Sequence, residues 1–296
     1  MYASASSIGH HGEIIQGVFR DGEDRLHRGL VTLPFVPRHS IALARSTNSA
    51  TVEIEPKHKR KALQAIKMFL ERANRGATGI HVTIKSNIPE GFGLGSSTAD
   101  IVSSVGATAR LLGASVKSRD LFRLAVQAET ASDGIMFLKW PHLVCQREGR
   151  VLERYKWRLP RFSLLSFNAA PNDPVDTLDY TAARYSDDEI DEFQVLRALL
   201  RRAFKKQDLA LLAEVATRSS IINQRHLPQP HFDEILEIVR DAKAPGLQVA
   251  HSGRMIGIIL RPEWRYHSRS VQTIQRELLH LGFFPEYHGA PHPHCV

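Results

Sequence analysis

The sequence predicts an α+β protein in two parts, residues 1–157 and 158–296. Three observations carry that prediction. Strand and helix patterns follow one another along both halves. A strand, a glycine-rich turn and a helix start run together over 80–112. A chain of 296 residues, 43% hydrophobic, is long enough for one large domain or two modest ones. The division near 157 is drawn where a hairpin pattern ends and a new strand begins, with no linker to mark it.

In chain order, "HSIALARS" (39–46) and "TVEIEP" (51–56) read as a strand pair around "TNSA". "RKALQAIKMFLERAN" (60–74) is an amphipathic helix. In "GIHVTIKSN", Ile80, Val82 and Ile84 alternate with polar residues, the period of a half-buried strand. Ile101, Val102, Val105, Leu111 and Leu112 then fall at helical spacing, ending at Gly113. A helix over 118–132 takes Ser118 as cap, and 142–155 forms a hairpin turning at "EGR". The second half opens on a strand at 161–169, followed by the turn-rich "PNDPVDT". Helical pattern runs from Asp187 to about Asn223, split near Gln207, with a further helix at 230–243. Two apolar runs flank a polar turn in 246–260, and the last helix covers 270–282.

Composition narrows the function. The longest wholly apolar run, "MIGIIL" at 255–260, is far too short to span a bilayer, and the first residues lack a signal-peptide pattern. Two cysteines, Cys145 and Cys295, fit a reducing cytoplasm. The formal charge is +8. Its densest patches are "KHKRK" (57–61) and "RRAFKK" (201–206), the second on a helical face. Basic residues are otherwise spread out, and neither zinc-finger spacing nor an aromatic-rich strand accompanies them. A small anionic ligand therefore ranks ahead of nucleic acid. His288, His292, His294 and Cys295 lie in a tail without matched ligand spacing, and a loose terminus explains them.

The chemistry concentrates in four segments. In "IPEGFGLGSSTAD" (88–100), Gly91, Gly93 and Gly95 precede a helix start at Ser96, Ser97 and Thr98. Unpaired N–H groups and the macrodipole make such a junction a phosphate site, and the hydroxyls can cap the helix or reach a bound cation. A plain capped helix after a tight turn is the alternative. "GHHGEIIQG" (9–17) and "VAHSGRMIG" (249–257) also set glycines beside hydroxyls, acids and histidines. In "AETASDG" (128–134), Glu129 and Asp133 share one face if the segment is helical.

Together these segments resemble the GHMP kinases, whose phosphate loop has the pattern Pro-x-x-x-Gly-Leu-Gly-Ser-Ser, here Pro89 to Ser97. "GEIIQG" with "AHSG" is most similar to the L-threonine kinases of cobalamin side-chain synthesis, although His11 stands where those carry cysteine. The resemblance implies an N-terminal domain like ribosomal protein S5 domain 2 and a ferredoxin-like C-terminal domain. It implies ATP and Mg²⁺ as cofactors and a small hydroxylated substrate, with room for a homodimer. Pro89, Gly91, Gly93, Leu94, Gly95, Ser96, Ser97 and Thr98 would surround the phosphates. Ser97 and Glu129 would hold Mg²⁺, and Asp133 would act as base. His11, Glu13, Gln16, Ser252 and Gly253 would shape the acceptor site, with Asn223 and Gln224 close by. The acceptor stays open between L-threonine, homoserine, a sugar and a specialised intermediate. A catalytically silent, ligand-responsive regulator is the reading from another class.

Overall fold

In the computed structural model, residues 1–76, 78–137, 139–171, 183–251 and 253–290 are described. The chain opens on two long antiparallel strands, β1 (Tyr2–Arg20) and β2 (Leu26–Ser46), paired over almost their whole length. The pairing is irregular where the chemistry lies. His10 opposes Pro34 and Glu13 opposes Thr32, so β1 spends three steps where β2 spends two. Such a bulge reverses the side-to-side alternation. Gly12, at φ 62°, sits within it. As a result His10 and Glu13 reach one cluster while His11 points away from it.

β3 (Val52–Glu55), α1 (Arg60–Arg72), β4 (Ile80–Ser86), α2 (Ser96–Leu111), α3 (Ser118–Glu129), β5 (His142–Cys145) and β6 (Arg150–Arg154) complete the first half. The sheet order is β3-β4-β2-β5-β6, with β1 on β2. The expected pairing of 39–46 with 51–56 does not occur. β4 lies between those strands, antiparallel to β2 and parallel to β3. Three helices bury this sheet through Ala65, Ile66, Ile101, Val105, Phe122 and Ala125.

The second half contains β7 (Ser163–Asn168), α4 (Asp187–Lys206), α5 (Leu209–Gln224), α6 (Phe232–Asp241), β8 (Gly246–Val249), β9 (Met255–Leu260), α7 (Arg269–His280) and β10 (Glu286–His288). Its antiparallel sheet has the order β10-β7-β9-β8. α4 starts in a capping box between Ser186 and Glu189. It ends at Gln207 in the left-handed region, where Asp208 caps α5. This sheet is apolar on both faces: Ile259 packs towards α4, α5 and the first sheet, Ile258 towards α6 and α7. Burial on both faces is why "MIGIIL" reads as a continuous apolar run. The 157 division falls between β6 and β7, but one apolar cluster joins the halves through Ile14, Phe19, Leu143, Tyr155, Leu164 and Phe204. Among the described residues no helix is long and apolar enough to cross a membrane.

Candidate active site

The glycine loop delivers α2 with its first turn free. Gly91, Gly93 and Gly95 all have positive φ, at 83°, 78° and 73°. The N-cap is Gly95 itself, and no side chain caps the helix, so the expected hydroxyl cap is absent. Ser96, Ser97 and Thr98 lie inside the first turn, leaving its N–H groups to a ligand. A Cβ on Gly95 would overlap the His10 ring, and one on Gly93 would come within 2.8 Å of the Ala250 Cβ. The loop is thus clasped between β1 on one side and Ala250 and Gly253 on the other. Gly95→Ala should destabilise the fold by about 2 kcal/mol or more, from left-handed strain plus overlap. Chemical denaturation checks this, with Gly22→Ala, which meets nothing within 4 Å, as the near-neutral control.

Leu94 does not face the loop's open side. Its side chain is buried with Ile88, Ala99 and Ile135, and its carbonyl accepts the His10 backbone N–H at 3.1 Å. Pro89 is exposed at the loop entrance. Lys59, from the 57–61 patch, pairs at 2.6 Å with both Glu90 and the buried Asp100. That basic patch therefore anchors the loop.

Glu129 is the last residue of α3, and Thr130, at φ 72°, ends the helix. Ser118 is likewise the first helical residue rather than the cap, which is Lys117. Glu129 and Asp133 therefore do not share a helical face; a turn brings them together. The Thr98 hydroxyl donates to Glu129 at 2.7 Å, and Ser97 and Ser132 also hydrogen-bond it. Burial pushes its carboxyl above the usual range, with the hydroxyls opposing and the Asp133 charge adding.

Asp133 meets the buried His10 at 2.7 Å and is itself 20% exposed. The other ring nitrogen of His10 lies 3.2 Å from the Gly12 carbonyl. Both nitrogens face acceptors, so the ring donates twice as an imidazolium. Burial alone would lower its pKa, but the Asp133 charge and hydrogen bond, with Glu13, outweigh burial and raise it to about 9. Glu13, 1% exposed, accepts from the His251 N–H at 2.9 Å and lies 3.2 Å from that residue's Nδ1. Polar atoms of His10, Glu13 and Asp133 fall within 4.8 Å of one another.

His11 is not part of this cluster. It is fully buried, its Nε2 lies 2.6 Å from the Ser166 hydroxyl, and the Gln248 amide meets its Nδ1. Strand alternation turns this side chain into the joint between the two halves, away from His10 and Glu13. Burial first, then the neighbouring His288 and His10, lower its pKa to about 3. Its contribution to stability is full above the ordinary value of 6.5 and is lost as pH falls from there towards 3. The wild type should lose about 1.4 kcal/mol per pH unit in that window relative to His11→Gln, as denaturant titrations at several pH values would show.

Gln16 donates its backbone N–H to Ser219 at 3.2 Å, beside His251, which lies 3.3 Å from the same hydroxyl. Gly253 sits under the loop, and its carbonyl accepts from Gln229 at 3.0 Å. Ser252 lies outside the described residues. Asn223 is a buried residue of α5, not its cap, and Gln224 accepts the Gln229 N–H at 2.8 Å. Sequence reasoning passed over His10, Thr32, Ser132 and His251. The quoted segments contained His10, Ser132 and His251, but only long-range partners show what they do. A cavity of about 500 Å³ lies behind the 133–137 segment, lined by Thr32, Phe35, Gly134, Phe137 and Phe162. Neither the glycine loop nor the two carboxylates line it.

Residues 60–137 match the model of the GHMP kinases N terminal domain. The L-threonine kinase of Citrobacter freundii is 31% identical over 198 residues, 61% of this chain and 62% of that protein. The L-threonine kinase of Salmonella typhimurium is 31% identical over 184 residues, 60% of its length. The chain thus spans about three-fifths of the length of these relatives. The homoserine kinase structure from Cytophaga hutchinsonii superposes with a TM-score of 0.70 over 96% of this chain and 93% of that one, at 16% identity. The Lactococcus lactis galactokinase complexed with galactose gives 0.70 over 98% and 93%, at 13% identity. Residues 60–137 are thus similar to the N-terminal domain of the GHMP kinases, and the chain as a whole shares the fold of these homoserine kinase and galactokinase structures.

Proposed function

We propose that this protein is an ATP- and Mg²⁺-dependent kinase that phosphorylates the hydroxyl of a hydroxy amino acid, L-threonine or a close analogue. One observation carries the reading: Ser97, Thr98 and Glu129 converge on an uncapped, glycine-framed helix N-terminus, with Asp133 beside them. Phosphoryl transfer asks for little more than positioning and charge neutralisation.

The amides of the 91–97 segment bind the phosphates, and Gly253 closes the loop from the second half. The residues present suit Mg²⁺, because Ser97 and Glu129 offer hard oxygen donors and, among the described residues, the groups that hydrogen-bond the Glu129 carboxylate are hydroxyls. When bound, the ion would neutralise charge on the transferring phosphoryl group. Asp133 takes the proton that the acceptor hydroxyl gives up. His10 holds the Asp133 carboxylate in place. Glu13, fixed by His251, and Gln16 face the acceptor side. In this scheme 1–157 is the ATP-binding part and 158–296 completes the pocket. The L-threonine relatives favour that acceptor, while the homoserine kinase and galactokinase folds keep other alcohols open.

The experiment is ADP release with Mg²⁺ and ATP against a panel of amino acids, sugars and other alcohols. Turnover on L-threonine or another hydroxy amino acid supports the proposal. Turnover confined to another alcohol keeps the chemistry and moves the specificity. ATP binding without turnover favours the regulator.

A further inference from the structure

A second group of ligand-type side chains lies apart from the glycine loop, where the β1–β2 turn meets the β5–β6 turn. His27 near the start of β2, Cys145 at the end of β5 and Glu148 in the next turn bring a ring nitrogen, a sulfur and a carboxylate oxygen within 4.8 Å of one another. His27 and Cys145 are buried, while Glu148 opens to solvent. The imidazole is held from both sides. Its Nδ1 lies 2.9 and 3.0 Å from the Glu148 oxygens, and its Nε2 lies 3.1 Å from Asp21. Asp21, 2% exposed in its side chain, is fixed in turn by the backbone N–H groups of Glu23 and Arg25 and by the Arg25 guanidinium.

We infer that His27, Cys145 and Glu148 form a binding site for a thiophilic divalent cation of the zinc class, with Asp21 orienting the histidine. One nitrogen, one sulfur and one oxygen, with an opening for water, make a borderline-soft donor set. A carboxylate behind the second imidazole nitrogen is the usual support of a metal-bound histidine. Tetrahedral bonds of about 2.0–2.3 Å place neighbouring ligands roughly 3.5 Å apart, so small side-chain shifts close the site.

The charge balances. Binding through Nδ1 and the thiolate takes one proton from the imidazole–carboxylate pair and one from the Cys145 thiol. A divalent ion replaces these two protons and leaves the formal charge unchanged. Burial and then the Glu148 charge push the thiol pKa up to about 12, against Arg150 and Arg197, which lower it. Arg150 also approaches His27 and Asp21, at 3.4 and 3.5 Å. Because metal must displace bound protons, affinity should rise with pH.

The test is titration of chelator-treated full-length protein with Co²⁺, followed by competition with Zn²⁺. Wild type should develop a thiolate-to-cobalt charge-transfer absorption that Zn²⁺ removes. Cys145→Ser should abolish it, and Glu148→Gln should weaken Co²⁺ binding by about 10–100-fold. Cys295→Ser and Glu129→Gln should leave it intact, which separates this site from the tail thiol and from the proposed Mg²⁺ site. Should Cys145→Ser not fold, the exposed Glu148→Gln decides. Absence of the band at saturating Co²⁺, or a band that disappears with Cys295→Ser and survives in Cys145→Ser, overturns the inference. So does a band indifferent to Glu148→Gln.

Discussion

Asp133→Asn should lower turnover by about 10²–10⁴-fold and leave ATP affinity nearly unchanged, as expected for removal of the proposed proton acceptor. The amide keeps the shape and loses the basicity. His10 supplies the second arm of the experiment. Its pKa, raised to about 9, makes the His10–Asp133 pair ionic through neutral pH. The stabilisation from that pair is full below 6.5, the ordinary value, and is lost as pH rises towards 9. Activity should therefore fall on the alkaline side near that value. His10→Gln should abolish this alkaline limb and lower turnover at neutral pH by a smaller factor than Asp133→Asn, because glutamine can still donate one hydrogen bond. Steady-state kinetics over pH decides. If Asp133→Asn stays within tenfold of wild type, Asp133 is not the base.

The legible parts of the fold are those whose physics is local. Three glycines in five residues can be read because positive φ at 91, 93 and 95 strongly favours glycine, and the helix after them announces itself by its spacing. β9 can be read because burial on both faces produces an unbroken apolar run. β1 could not. Residues 9–15 are all buried, yet they include His10, His11 and Glu13. Their polar atoms are satisfied by Asp133, Ser166, Gln248 and His251, partners far along the chain. No window of neighbouring residues reveals such compensation.

The same reason explains why His11 lies apart from His10 and Glu13. Adjacency in sequence suggests a shared site, but in a strand adjacency means opposite faces. The bulge at Gly12 then returns Glu13 to the side of His10. The four-residue spacing of Glu129 and Asp133 misled in the opposite way. It suggested one helical face, whereas a left-handed turn at Thr130 is what brings the carboxylates together. The short link between β2 and β3 looked like a hairpin because nothing local shows that β4 takes the place between them.

Glu129→Gln should separate function from stability. As proposed Mg²⁺ ligand, the carboxylate takes part in neutralising charge on the transferring phosphoryl group. That role is worth several kcal/mol, so its loss should lower turnover by about 10²–10³-fold. Half-saturation by Mg²⁺ should move to higher concentration. Stability should move the other way. Burial, and the charge of Asp133, hold the Glu129 carboxyl above its ordinary value of 4.5, against the hydroxyls around it. A carboxyl raised in the folded state contributes its stability below 4.5 and loses it as pH rises through the folded value. Glutamine has the same shape, no charge and donors that the Ser97 and Thr98 hydroxyls can accept. In the absence of Mg²⁺ and nucleotide, Glu129→Gln should be at least as stable as wild type, with the difference widening from acid to neutral pH. Denaturant unfolding with and without Mg²⁺·ATP measures both halves. A variant that is active, or that is less stable than wild type without ligand at neutral pH, would show that Glu129 serves the fold rather than a cation. A variant that is inactive yet more stable identifies a carboxylate kept at the expense of stability for the ion it holds.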